Sequence, residues 1–303
     1  MADVKKHLKQ AVKTAIYWGL PEGIAEFGMR QWKAFRENRH EVMKSLHANM
    51  KFKNRHKGER CFILACGPSI KEQDLTLLKN EISISVSNFF MHPDYGLIRP
   101  RYHCIPDIST AHGDFHTEEY AKRWFREMER KTGEAILFLS DGEKKLIKSS
   151  GLFRNTEVHY LHFGEDWTEI EKSGIDITRF FPFPQSSSVL ALAIAVYMGF
   201  EEIYLLGCDH DWILHHGTSL HFYEENENIM ATRPGYSEWA GSDYELQFRC
   251  SWNLWDQYKK IYRYSQTMGI NIYNATVGGL LDVFPRVRYE TLFQGTDLTR
   301  GIR

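Results

Sequence analysis

The chain has no run of about 20 apolar residues, the length needed to cross a bilayer. Its five cysteines, Cys61, Cys66, Cys104, Cys208 and Cys250, contain no CxxC pair. That excludes zinc ribbons and dithiol redox motifs, which need that spacing. Three of the cysteines sit inside apolar, strand-like runs, so they read as small reduced core residues of a cytosolic protein. No Gly-x-Ser-x-Gly elbow is present, which removes support for a hydrolase triad. The glycine and lysine pattern of a P-loop and the GxGxxG fingerprint are both missing. There is no internal repeat and no low-complexity tract. The N-terminus, MADVKKHLKQ, lacks the continuous apolar core of a secretion signal. The helical segments carry no basic recognition face, so a nucleic-acid partner is not expected.

What is present is ordinary globular composition: 303 residues, 43% hydrophobic and 25% charged. This is enough for one large domain or two modest ones. The net charge of −1 hides an asymmetry, because residues 1–60 carry 14 Lys/Arg against 6 Asp/Glu and the remainder 24 against 33. Residues 4–48 read as helices, broken at Pro21-Glu22-Gly23, with Ile24, Phe27, Trp32 and Phe35 on one amphipathic stripe. Such a basic extension, residues 1–58, needs an apolar partner surface. The body, a second subunit of a homo-oligomer and peripheral contact with anionic lipid are the open alternatives. NRHKGER, residues 54–60, reads as a linker to a domain spanning 59–303.

From Cys61 onward strands alternate with helices. The strands are expected at Cys61–Ala65, Ile82–Val86, Tyr102–Ile105, Ala135–Leu139, Glu157–Phe163, Glu202–Gly207 and Asn271–Asn274. The helices are expected at Ile70–Lys79, Thr117–Lys131, Ser187–Met198 and Leu254–Met268. This alternation predicts an α/β fold, a Rossmann-like, mostly parallel, doubly wound sheet with helices on both faces. Ligands of such sheets gather beyond the carboxyl ends of the strands, so the residues just after each strand matter most.

Four strand ends carry chemistry. In Ala65-Cys66-Gly67-Pro68-Ser69, Gly67 permits close backbone approach, Pro68 fixes φ and Ser69 can cap. Asn88, after Val86-Ser87, offers donor and acceptor groups to a base or ribose, or simply forms a turn. Ser186, Ser187 and Ser188 open the apolar helix VLALAIAVYM, where one serine caps and the others suggest a phosphate or ribose contact. Asp209, His210 and Asp211, with His215, His216 and His221 soon after, can hold a divalent metal through Asp209 and Asp211. Alternatively they pair a general base with its orienting carboxylate. Asp107, ending YHCIPD, is a further acidic candidate at the same edge. Residues 209–245 form the longest irregular region, a length more often functional than idle.

Taken in order, GPSI, the Asn after the next strand, SSxVxxLAxAxxxGFxEIYLLGxD and NATVGGLLDVFPRV resemble a bacterial and archaeal superfamily. It joins the DUF115 group, which includes 6-hydroxymethylpterin diphosphokinases and flagellin-modification accessory proteins, to the family 42 sialyltransferases. The lead-in FKNRHKGERCFILACGPS looks like members from surface-polysaccharide gene clusters, and the resemblance covers roughly residues 50–290. It implies a cytoplasmic nucleotide-dependent transferase of surface glycan assembly, which contact of the basic N-terminal extension with anionic lipid would bring to the inner face of the membrane. Carried over by position, Gly67, Pro68, Ser69, Asn88, Ser187 and Ser188 would embrace a CMP-sugar donor, and His221 best matches the catalytic base. The chain departs from the sialyltransferases in having Cys66 where they keep an Asn, and His210-Asp211 where they keep paired tyrosines. These departures suggest a metal-bridged phosphate or a different donor. ATP-dependent pyrophosphoryl transfer with Mg²⁺ is the second reading, and a non-catalytic accessory or binding protein the third.

Overall fold

The computed structural model describes residues 39–106, 118–215, 221–223 and 244–294. The chain divides into two compact units, Met1–Ser45 and Leu46–Arg303. Of the first, residues 39–45 are helical, and the expected aromatic stripe lies outside the described residues. The second unit begins before the expected boundary at residue 59. Leu46 and Phe52 are fully buried, Asn49 donates to the carbonyls of Tyr160 (2.9 Å) and Ile177 (3.0 Å), and His56 stacks on Phe200 at 4.5 Å. The expected linker is therefore built into the body, because its lead-in supplies core side chains.

The body holds nine strands among the described residues: β1 Arg60–Leu64, β2 Ser83–Val86, β3 Tyr102–Cys104, β4 Ile136–Ser140, β5 Val158–Leu161, β6 Phe163–Glu165, β7 Phe181–Pro182, β8 Glu202–Leu206 and β9 Asn271–Asn274. Seven of them form one sheet in the order β5-β4-β3-β2-β1-β8-β9, and every pairing is parallel. The small pair β6-β7 stands apart. The principal helices are α1 Glu118–Thr132, α2 Lys144–Ser150, α3 Thr168–Ser173, α4 Ser187–Met198 and α5 Tyr244–Thr267. Alternation along β1 shows why both sheet faces are covered: Cys61, Ile63 and Ala65 join one apolar layer, and Phe62, Leu64 and Cys66 the other. The fold is Rossmann-like.

α4 begins where Ser186 accepts the Val189 N–H, and it is buried from Ser188 to Met198 under β1, β2 and β3. Its apolar residues surround the whole helix, as a fully covered helix requires. α5 starts ten residues before its expected first turn. It buries one face, including Leu254, Gln257, Tyr258 and Ile261, against α4. The expected helix over 70–79 is absent. Two 3-10 turns, Pro68–Glu72 and Leu75–Leu78, take its place, because Gln73 is extended and the Asp74 carboxylate caps a new turn at Thr76.

Candidate functional site

Strand order reverses between β1, which continues to β2, and β8 on its other side. Beyond the carboxyl ends of these strands lies a cavity of about 470 Å³, the place where doubly wound sheets bind ligands. One wall is the turn Ala65-Cys66-Gly67 with Ser87 and Asn88. A second is Phe183 to Ser188, and a third Gly207 with Asp209 to Trp212. Val86, Pro106, His221, Tyr223, Cys250 and Leu254 complete it. Of the expected site residues, Gly67, Asn88, Ser186, Ser187, Ser188, Asp209, His210, Asp211 and His221 meet here. Pro68 and Ser69 come directly after Gly67 but do not line the cavity. Asp107 and His216 lie outside the described residues.

The Gly67-Pro68-Ser69 turn differs from its expected role. The Gly67 N–H donates to the Gly207 carbonyl (2.9 Å), the Ser69 N–H donates to Asp209 Oδ2 (2.9 Å), and Pro68 has no N–H. The Ser69 hydroxyl donates to the other Asp209 oxygen. The turn's amides thus bind β8's end rather than an incoming phosphate. Gly67 is required for the same reason: a Cβ there would stand 2.5 Å from the Gly207 carbonyl oxygen and 2.6 Å from the Asp209 carboxylate. Burial pushes the Asp209 carboxyl up, while its hydrogen bonds from Ser69 pull it down.

Behind Asp209 the segment NATVGGLLDVFPRV acts as a buttress. The Leu280 N–H donates to the Asp209 carbonyl (2.8 Å), and a Cβ on Gly279 would lie 2.5 Å from that oxygen. The Arg286 guanidinium donates to the carbonyls of Thr276, Gly278, Gly279 and Leu281. With Asp209 engaged by Ser69 and Asp211 paired to His215 (3.2 Å), the two carboxylates expected to share a metal face protein partners instead. Among the described residues no group of three or more His, Cys, Asp or Glu is placed to hold a metal ion. The donor set does not fit the expected metal.

Asn88 is only 2% exposed and its amide is engaged at both ends. The Trp124 Nε1–H donates to Oδ1 (2.6 Å) and Nδ2 donates to the Tyr223 hydroxyl (2.9 Å). Asn88 therefore holds the 221–223 segment against the cavity. The Phe222 N–H adds a bond to the Cys66 carbonyl (3.0 Å), and His221 stacks on Tyr223 at 4.9 Å with planes 8° apart. The Cys66 thiol donates to the Val86 carbonyl (3.5 Å).

The serine run is more connected than capping alone requires. Ser187 Oγ meets Ser87 Oγ across the cavity walls (2.7 Å), Ser186 Oγ meets Ser188 Oγ (2.7 Å), and Ser188 Oγ meets the Tyr258 hydroxyl (2.6 Å). His210 Nε2 lies 2.9 Å from the same hydroxyl. Burial pushes the His210 imidazole down to about 3, so it is neutral at ordinary pH. Ser87 and His210, both on the cavity wall, hold φ of +48°, a left-handed conformation that non-glycine residues rarely adopt.

Sequence reasoning missed Ser87, Tyr223, Tyr258, Cys250 and Leu254. Tyr258 carries one signal, its place on the buried face of α5; a left-handed Ser87 carries none. Comparison with known proteins found no family model that matches the chain and no curated protein that matches it.

Proposed function

We propose that the chain is a nucleotide-dependent glycosyltransferase, taking a CMP-linked sugar as donor and an alcohol of a surface glycan as acceptor. The supporting observation is position: the cavity lies at the switch point of the sheet, with the first turn of α4 opening onto it. The first N–H groups of a helix have no intrahelical partner and carry roughly half a positive charge, a ready anion site. The described lining holds Asp209 and Asp211 but no lysine or arginine. A single phosphodiester charge suits that wall better than a diphosphate, which would bring more charge than the helix terminus offsets.

In this reading the bond from the sugar's anomeric carbon to the phosphate oxygen breaks and a bond to the acceptor oxygen forms. CMP leaves, and His221 takes the acceptor proton. His210 is too weak a base for that step at neutral pH. Asp209 positions the turn beside the donor.

Thermal unfolding with CMP, CDP, UDP, GDP and ATP, each with and without Mg²⁺ or Mn²⁺, tests the reading. CMP is expected to raise the midpoint without metal, by about 2.7 kcal/mol of stability at a hundredfold excess over Kd. Stabilisation only by ATP with Mg²⁺ replaces it with pyrophosphoryl transfer. No shift with any nucleotide leaves a non-catalytic role.

A further inference from the structure

The contacts behind α4 form one continuous chain: His210 imidazole, Tyr258 hydroxyl, Ser188 hydroxyl, Ser186 hydroxyl and finally the Val189 N–H, which donates to Ser186 Oγ (3.4 Å). Tyr258 is fully buried and Ser188 is 3% exposed, whereas Ser186 stands half-buried on the cavity wall. A hydroxyl has one hydrogen to give and can accept two, so the chain admits two complete proton orders. Running toward the histidine, Ser186 donates to Ser188, Ser188 to Tyr258, and Tyr258 to a bare Nε2. All three hydroxyl hydrogens are then consumed inside the protein. Running toward the helix, an Nε2–H donates to Tyr258, Tyr258 to Ser188, and Ser188 to Ser186. The imidazole supplies one hydrogen, so the Ser186 hydrogen is left over at the cavity wall. The two mixed orders would leave the buried hydrogen of either Tyr258 or Ser188 with the neighbouring Cys208 thiol as acceptor, a weak one.

We infer that His210 and Tyr258 are positioning residues that order this chain toward the helix, so that Ser186 presents a hydroxyl hydrogen to a phosphate oxygen in the cavity. The inference rests on the nucleotide reading above and adds to it which group of the wall acts as donor and what aims it. Neither residue need touch the ligand. A neutral imidazole serves because either tautomer is open to it, and a phosphate oxygen takes a charge-assisted bond from the leftover hydrogen. It also accounts for a buried tyrosine hydroxyl joining β8's end to the start of α4.

The test is nitrogen NMR of histidine-labelled protein with CMP, the His210 signal being assigned by its loss in His210→Asn. In the CMP complex His210 is expected as the Nε2–H tautomer. Tyr258→Phe, which removes one oxygen and keeps the ring, is expected to weaken CMP binding about tenfold. An Nδ1–H tautomer in the complex, or undiminished affinity in Tyr258→Phe, overturns the inference and leaves the nucleotide reading standing. Absence of CMP binding to the wild-type chain overturns both. The tautomer reading does not depend on how well Tyr258→Phe folds.

Discussion

At the scale of single residues, burial is the strongest force acting on the titratable groups. His103, in β3, is fully buried with Nδ1 on Ser85 Oγ (2.8 Å), and burial pushes it down to about 3. Between that value and the ordinary 6.5 the unfolded chain binds a proton that the folded chain refuses. Stability therefore falls as pH drops through that window and is fully present above it. One such group contributes a slope of about 1.4 kcal/mol per pH unit. Urea unfolding between pH 4 and 8 should show this acid limb, and His103→Leu should flatten it by about that amount. An unchanged slope would mean that the folded protein accommodates the charged ring. Nothing in the local sequence YHCIP distinguishes this histidine from a solvated one; burial comes from strands that pair with β3 from elsewhere in the chain.

At the scale of elements, the legible parts are those whose signal is local. α4 is readable to the residue because a capping serine precedes a twelve-residue helix whose last ten residues are all apolar. All seven strands of the main sheet are readable because short apolar runs alternate with helical periods. The segment after β1 reads as a helix and is not one, since apolar spacing over 70–79 is satisfied equally by two 3-10 turns once Gln73 extends. The site is legible as a set of strand ends but not as a set of roles. Gly67, Ser69 and Asn88 read as ligand contacts, yet their groups join the β1, β2 and β8 ends to each other and to residues 221–223. That close contact of turns predicts the cost of disturbing it. Gly67→Ala drives a methyl into the Gly207 carbonyl and the Asp209 carboxylate, and should destabilise by about 1–3 kcal/mol. A urea midpoint equal to wild type would show that the turns separate freely.

At the scale of the molecule, the body's beginning at Leu46 separates two truncations. Deleting residues 1–45 keeps Phe52, which packs on Phe138 at 5.0 Å, and the Asn49 and His56 bonds, whereas deleting residues 1–58 removes them. Loss of the buried aromatic alone costs about 3–5 kcal/mol, so the shorter protein should unfold many degrees below the longer, as calorimetry would show. Equal midpoints would move the boundary back to residue 59. No helix among the described residues is long and apolar enough to cross a membrane. The all-parallel sheet has a further consequence. Because every strand points the same way, the cavity occupies one rim and the opposite rim is left to short connections. Two of these pass through Gly133 before β4 and Gly269 before β9, each at a positive φ (+60° and +70°) that favours glycine, with nothing within 4 Å of where a Cβ would stand. Strands of about five residues put roughly 16 Å between the rims. A fluorophore or an inserted peptide beside either glycine, with the glycine itself kept, would therefore report on the chain from a position the ligand cannot reach.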